Sequence, residues 1–212
     1  MVIAIDGPAG AGKSTVARAL AERLGFTYLD SGAMYRCIAL LTLRSGADPD
    51  DPEAVAALAR GLDLELAGET VAIAGEDVSA AIRRPEVSAS ASRVSVHPAV
   101  REAMVERQRA LVGSGRWVAE GRDIGTVVCP EAPLKVFLTA AEDERARRRA
   151  EQSGEDPAAV LAAQRDRDGR DRDRRHGALV AASDAVEVDT TGLEVAGVVE
   201  RVRALAAERG LL

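Results

Sequence analysis

Val2-Ile3-Ala4-Ile5 is an unbroken apolar run, stopped by Asp6-Gly7-Pro8. A run of that length before a glycine-rich turn predicts a short buried strand over residues 2–6. From Lys13 to Arg23 the period changes. Val16, Leu20 and Leu24 recur every four residues, which predicts a helix, and Gly25 marks its stop. Residues 26–29 read as a second short strand. Ser31 is expected to cap a helix that carries Met34, Ile38 and Leu41. Asp48-Pro49-Asp50-Asp51-Pro52 predicts a turn, and an Ala-rich helix follows to about Arg60.

The texture then changes. Leu64 and Leu66, and again Val71 and Ile73, alternate with other residues around Gly68-Glu69. That pattern predicts a small antiparallel hairpin with a third strand at Val78, inserted at 63–84 into an α/β rhythm. Helices at about 86–95 and 98–113 are split by His97-Pro98. Residues 117–119 and 134–138 are further apolar runs of strand length. The stretch 141–176 is Arg-rich and helical, broken at Ser153-Gly154-Glu155-Asp156-Pro157. Residues 186–188 form a last strand and 193–209 a last helix. Short strands alternating with helices imply a parallel sheet with helices on both faces.

Composition narrows the function. Over 212 residues, 47% are apolar and 29% charged, as in a soluble globular protein. Only 2% are aromatic, so Ala, Val and Leu must build the core. The net charge is −6, which argues against nucleic-acid or membrane binding as the main task. Positive charge is carried by 26 Arg and only 2 Lys, Lys13 and Lys135. Cys37 and Cys129 cannot make a disulfide framework, and a reduced, cytoplasmic setting is expected. Asp6 interrupts the first apolar run too early for a targeting segment. No run approaches the ~20 residues that span a bilayer.

The sharpest local signal is Gly7-Pro8-Ala9-Gly10-Ala11-Gly12-Lys13-Ser14, a G-x-x-x-x-G-K-[ST] phosphate loop between a predicted strand and a predicted helix. Glycines let backbone N–H groups turn inward around a phosphate, and the helix start adds its positive dipole end. Lys13 supplies a mobile charge for the β- and γ-phosphates, and Ser14 a hydroxyl for Mg²⁺. The loop establishes triphosphate binding and leaves the reaction open. The guanine-reading Asn/Thr-Lys-x-Asp element is absent, since Gly12 and Leu134 precede the two lysines. A short, Arg-rich chain with one such loop points to a small-molecule kinase, because transfer between phosphates gathers negative charge that Arg clamps bidentately.

Helical spacing sorts the arginines. Arg145, Arg148 and Arg149 share a face and Arg147 points away, while Arg167, Arg170, Asp171 and Arg174 form one stripe. Alone, such runs read as solvated helix faces with ion pairs. Beside a phosphate loop they read as phosphate and ribose clamps. Six Arg and four Asp over 164–176, with no aromatics, do not make an RNA-stacking surface. Gly121-Arg122-Asp123-Ile124-Gly125 and Asp30-Ser31-Gly32-Ala33-Met34-Tyr35-Arg36 each follow a predicted strand, where open α/β folds place ligands.

Taken together, these motifs resemble the bacterial cytidylate kinases. The likeness rests on the segments 5–14, 29–36 and 120–126, on Gly75-Glu76-Asp77-Val78-Ser79 with Ile82-Arg83, on Val100-Arg101-Glu102, and on Arg167-Asp168 through Arg174. The resemblance implies a P-loop nucleoside-monophosphate-kinase fold: a five-stranded parallel sheet flanked by helices, a small antiparallel β insertion and a helical lid. It implies one kinase domain over 1–212, with core at about 1–62, 85–147 and 165–212, the insertion at 63–84 and the lid at 148–164. The implied reaction is γ-phosphoryl transfer from ATP, with Mg²⁺, to CMP or dCMP. ATP is expected along Gly7 to Thr15. Ser31, Arg36, Arg122 and Arg174 are expected at the CMP phosphate, and Tyr35 near the pyrimidine. Ser92, Arg101 and Asp123 are expected at the cytosine edge, and Arg167 with Asp171 at the sugar. Lys13, Arg122, Arg145 and Arg148 are expected to act in transfer. A monomer is the family default. Two departures are visible: residues 150–159 are shorter than in some relatives, and Glu120 stands where Asp is also common. A kinase for another monophosphate or small metabolite, or a non-catalytic nucleotide switch, are the competing readings.

Overall fold

The computed structural model describes residues 1–174 and 176–212. Arg175, inside the predicted stretch 141–176, lies outside them. In chain order the elements are β1 (Val2–Asp6), α1 (Lys13–Leu24), β2 (Thr27–Asp30), α2 (Ser31–Ser45), α3 (Pro52–Arg60), β3 (Leu64–Ala67), β4 (Thr70–Ile73) and β5 (Glu76–Asp77). Then follow α4 (Pro85–Val94), α5 (Pro98–Val112), β6 (Trp117–Gly121), β7 (Leu134–Thr139), α6 (Glu142–Ser153), α7 (Pro157–Asp173), β8 (Val186–Asp189) and α8 (Val195–Glu208). A 3₁₀ turn occupies Ala81–Arg83 and a π turn Ile124–Val128.

The chain divides into two compact units, residues 1–29 with 112–212, and residues 30–111. The first is built on a five-stranded sheet of order β2-β6-β1-β7-β8. β1 runs parallel to β6 and β7, and β7 parallel to β8. The central place of β1 explains its continuous apolar run: both faces are covered, and all five of its residues are buried. Ile3, Ile5, Val118, Val136 and Leu138 pack with Val16 and Leu20 of α1 and with Val198, Val202 and Leu205 of α8. Because the strands are parallel, Asp6, Gly121 and Thr139 all end at one edge, and the loops that carry polar chemistry leave from it.

The second unit is helical with a three-stranded antiparallel sheet of order β3-β4-β5. Leu64 faces Ile73 and Leu66 faces Val71 across the hairpin, as the alternation predicts. α2 packs against α4 and α3. Asp51 caps α3 by accepting from Glu53 and Ala54 N–H, with Pro52 preset for the first turn.

Four local expectations need correction. The cap of α2 is Asp30, whose carboxylate accepts the Ala33 N–H at 2.8 Å, and Ser31 is the first helical residue. A charged oxygen is the stronger acceptor for those orphan donors. The third strand of the insertion is Glu76–Asp77, not Val78, which instead donates to Val71 O at 2.8 Å and buries its side chain. Leu40 is buried along with Met34 and Ile38, whereas Leu41 is only half-buried. Phe26 precedes β2, because its N–H is taken by Ala21 O in the turn that closes α1.

Candidate active site

In the first unit, residues 7–12 arch from the end of β1 to the start of α1. Asp6 anchors the arch: its carboxylate accepts N–H bonds from Ile124 at 2.8 Å and Gly125 at 2.7 Å in the π turn. Burial pushes its pKa up to about 6 against the pull of those two bonds. Gly7 sits at φ 146°, and a Cβ there would lie 2.1 Å from Leu138 O. Gly10, at φ 77°, would place its Cβ 2.9 Å from Arg145 O. Both positions need glycine for space and for backbone conformation together.

Lys13 is 6% exposed, and its ammonium donates to Pro8 O at 2.7 Å, folded back across the arch. Burial first, and then the Arg122 charge, push its pKa down to about 7, while Glu120 acts in the opposite direction. Glu120 is itself buried at the end of β6 and accepts the Tyr28 hydroxyl at 2.7 Å. The arch therefore holds a lysine whose burial and Arg122 neighbour outweigh the pull of Glu120 and Asp6.

Arginines surround the same arch. Arg122 donates to Asp171 Oδ2 at 2.8 Å and to Gly7 O at 3.1 Å. Burial opposes its charge, but the Asp171 carboxylate raises its pKa further. Asp171 also accepts from Arg174. Burial would raise the Asp171 pKa, yet the Arg122, Arg174 and Arg167 charges hold it below the ordinary carboxylate value. Arg145 is 3% exposed and donates through one nitrogen to Ala9 O and Asp168 Oδ2, both at 2.7 Å. The Gln164 amide donates to Arg145 O at 3.3 Å. Arg148 donates to Glu144 and Thr190, and one of its guanidinium nitrogens lies 3.9 Å from where a Gly12 Cβ would stand.

Thus Lys13, Arg122, Arg145, Arg148, Arg167, Asp171 and Arg174 gather around one loop, as their spacing suggests. Arg147 points away, into ion pairs with Glu144 and Glu151. Arg170 leaves the predicted stripe: it is exposed and donates to Asp166 O, because the helix turns that position to solvent. Asp123 is buried beside Asp6, whose pKa its charge raises. Ser14 and Thr15 are exposed in the first turn of α1.

The second unit carries the other predicted residues. On α2, Arg36 pairs with Asp30 at 2.8 Å. Burial would raise the Asp30 pKa, but the Arg36 guanidinium holds it below its ordinary value. The buried Arg101 of α5 lies over the Tyr35 ring, 5.8 Å from its centroid. Ser92 on α4 is 2% exposed, and its hydroxyl has no hydrogen-bond partner. A buried, unsatisfied hydroxyl costs stability unless a ligand completes it. Ser31 is buried at the head of α2.

The family model described as cytidylate kinase matches residues 3–208. The cytidylate kinase of Solibacter usitatus is 49% identical over 99% of this chain and 93% of its own length. The chain belongs to the cytidylate kinase family. The bifunctional pantoate ligase/cytidylate kinase of Parasynechococcus marenigrum is 51% identical, and there the match takes in 94% of this chain but 42% of the longer protein. A gluconokinase structure from Sinorhizobium meliloti superposes with a TM-score of 0.55 at 18% identity, covering 98% of this chain and 91% of that one, and shares the fold. The family match spans the phosphate loop, the 120–126 segment and α7 alike. Beyond the motifs, the structure adds Gln164 and Thr190, and it gives Asp6 and Asp168, which lie inside them, the task of holding the loop or its arginines. The sequence signal of Gln164 and Thr190 is slight: single polar residues at a strand end or inside a charged helix. No helix of the described residues is long and apolar enough to cross a membrane.

Proposed function

We propose that the chain transfers the γ-phosphoryl of ATP to CMP or dCMP, giving ADP and CDP or dCDP. Family membership over residues 3–208 carries this reading, and the phosphate loop supplies its chemistry. The backbone N–H groups along residues 7–15, Pro8 excepted, and the α1 dipole hold the ATP phosphates. Lys13 swings from Pro8 O to the β- and γ-oxygens and regains a full positive charge. Arg148 and Arg145 offset the charge that develops on the transferring group. Arg122, Arg174, Arg36 and Ser31 hold the acceptor phosphate, and Arg167 with Asp171 the sugar.

Base choice falls to Ser92, Arg101 and Asp123, with Tyr35 beside the ring. A carboxylate accepts from the N4 amino group of cytosine and repels the O4 of uracil. An arginine donates to O2 or N3 and clashes with the N3–H of uracil. The unsatisfied Ser92 hydroxyl supports a ligand at that position.

Among the described residues, no three His, Cys, Asp or Glu side chains are arranged to hold a metal. The exposed Ser14 hydroxyl, at the head of α1, fits a Mg²⁺ that arrives with the nucleotide and keeps most of its waters. Bound there, the ion would neutralise charge on the β- and γ-phosphates. The chain is proposed to act as a cytoplasmic monomer in pyrimidine nucleotide metabolism, with neither nucleic acid nor membrane as partner. Residues 63–84 and the segment around 150–160 are proposed to shut over the bound nucleotides and exclude water.

ADP release, measured by enzymatic coupling with CMP, dCMP, UMP, dTMP, AMP and shikimate as acceptors, tests the reading. CMP or dCMP should give the highest kcat/KM. A faster acceptor elsewhere would assign another kinase, and no acceptor-dependent release would assign a nucleotide switch.

A further inference from the structure

Thr190 follows β8 and is buried, yet its polar atoms are all engaged. Its N–H donates to Thr139 O at 2.8 Å, which fixes its backbone to the end of β7. Its hydroxyl lies 3.2 Å from Ala11 O of the phosphate loop and 3.0 Å from Thr139 O. The same oxygen accepts from one Arg148 nitrogen at 3.0 Å, and the Thr190 carbonyl accepts from the other at 2.7 Å. One residue thus receives both arms of a guanidinium while its hydroxyl hydrogen faces two carbonyls, Thr139 O and Ala11 O of the phosphate loop. Arg148 comes from α6, and Glu144 on the same helix takes its remaining Nε–H at 2.9 Å. With all three sides of the fork fixed, the guanidinium rests beside Gly12, at the mouth of the loop.

We propose that Thr190 is a positioning residue for phosphoryl transfer: it locks the Arg148 guanidinium against the phosphate loop. The proposal rests on the reading that Arg148 meets the transferring phosphoryl. A long arginine is useful in a transition state only if its rotamers are fixed beforehand, since a free side chain must be ordered at the moment of reaction. A hydroxyl at position 190 does this from a rigid strand end rather than from the lid. Valine at 190 keeps the shape and the carbonyl but loses the hydroxyl, so one arm of Arg148 loses its acceptor and the Ala11 and Thr139 carbonyls lose the donor they share.

The test is a double-mutant cycle between Thr190→Val and Arg148→Ala, read as kcat and KM for CMP at saturating ATP. Thr190→Val should lower kcat by about tenfold with KM for CMP within about twofold, the signature of an interaction made in the transition state. Thr190→Ser should restore most of the loss. In the Arg148→Ala background, Thr190→Val should add nothing further. Should the valine variant not fold, Thr190→Ala carries the same comparison. Wild-type kcat in Thr190→Val, or an equal loss in both backgrounds, would overturn the proposal. Arg148→Ala at wild-type kcat would overturn it differently, by removing Arg148 from transfer altogether.

Discussion

Lys13 shows how one residue prepares the phosphate loop for an anion. An ammonium ordinarily titrates near 10.5, and here burial and Arg122 bring it to about 7. Near pH 7 it therefore gives up its proton more readily than an ordinary lysine, and binding a polyphosphate raises its pKa again. The sign is fixed: the free protein has lost part of a proton, the complex has regained it, so nucleotide binding takes up protons. Calorimetry of ATP binding at pH 7, in buffers of different ionisation enthalpy, should show uptake that diminishes as the pH falls well below 7. Lys13→Ala should abolish that uptake and lower kcat by about 10²-fold or more. Binding without proton uptake would contradict the assignment.

Asp123 poses a sharper question at the same scale. It lies beside Asp6 and follows Arg122 in the chain, so orienting Arg122 is a role open to it besides reading the base. Asp123→Ala should reduce kcat/KM for CMP far more than for UMP, because the carboxylate discriminates the amino group from the carbonyl. An equal loss on both substrates would remove Asp123 from the base-reading set and leave it as a partner of Arg122.

Among the elements, the phosphate loop is the least forgiving. Gly7 combines φ 146° with a Cβ position 2.1 Å from Leu138 O, which is backbone of the adjacent strand and cannot step aside. Gly7→Ala should cost about 3 kcal/mol or more of stability, among the largest single-residue losses, read as a lowered urea midpoint at unchanged slope. An unaltered midpoint would mean that the strand ends move freely. Elements whose signal is periodic were legible in the sequence. The apolar run of β1, the four-residue spacing of α1 and the alternation of β3 and β4 each follow from burial on a known face. The π turn over Ile124–Val128 was not legible, because its cause is the distant Asp6 carboxylate, which draws Ile124 and Gly125 N–H into one bond pair. The sequence points to Ser31 rather than Asp30 for a nearer reason: two good capping residues stand side by side, and Arg36 favours the charged one.

For the whole molecule, the same distinction separates motif from support. Gly7 to Ser14 and the 120–126 segment were legible because a local pattern carries their chemistry. Thr190 and Gln164 become visible only when folding brings residues more than a hundred positions apart to the phosphate loop, as Thr190 comes to Ala11 and Gln164 to Gly10. The chain is net acidic at −6, and Arg122, Arg145 and Arg148 stand at the phosphate loop, whereas Arg44, Arg93 and Arg147 are held in exposed ion pairs elsewhere. The most direct measurement of the central claim is product formation in a single mixture of ATP, Mg²⁺ and equimolar CMP, UMP, AMP and dTMP, resolved by ion-exchange chromatography. The account predicts that CDP appears first and in stoichiometric balance with ADP. ADP without CDP, or UDP forming as fast as CDP, would contradict it.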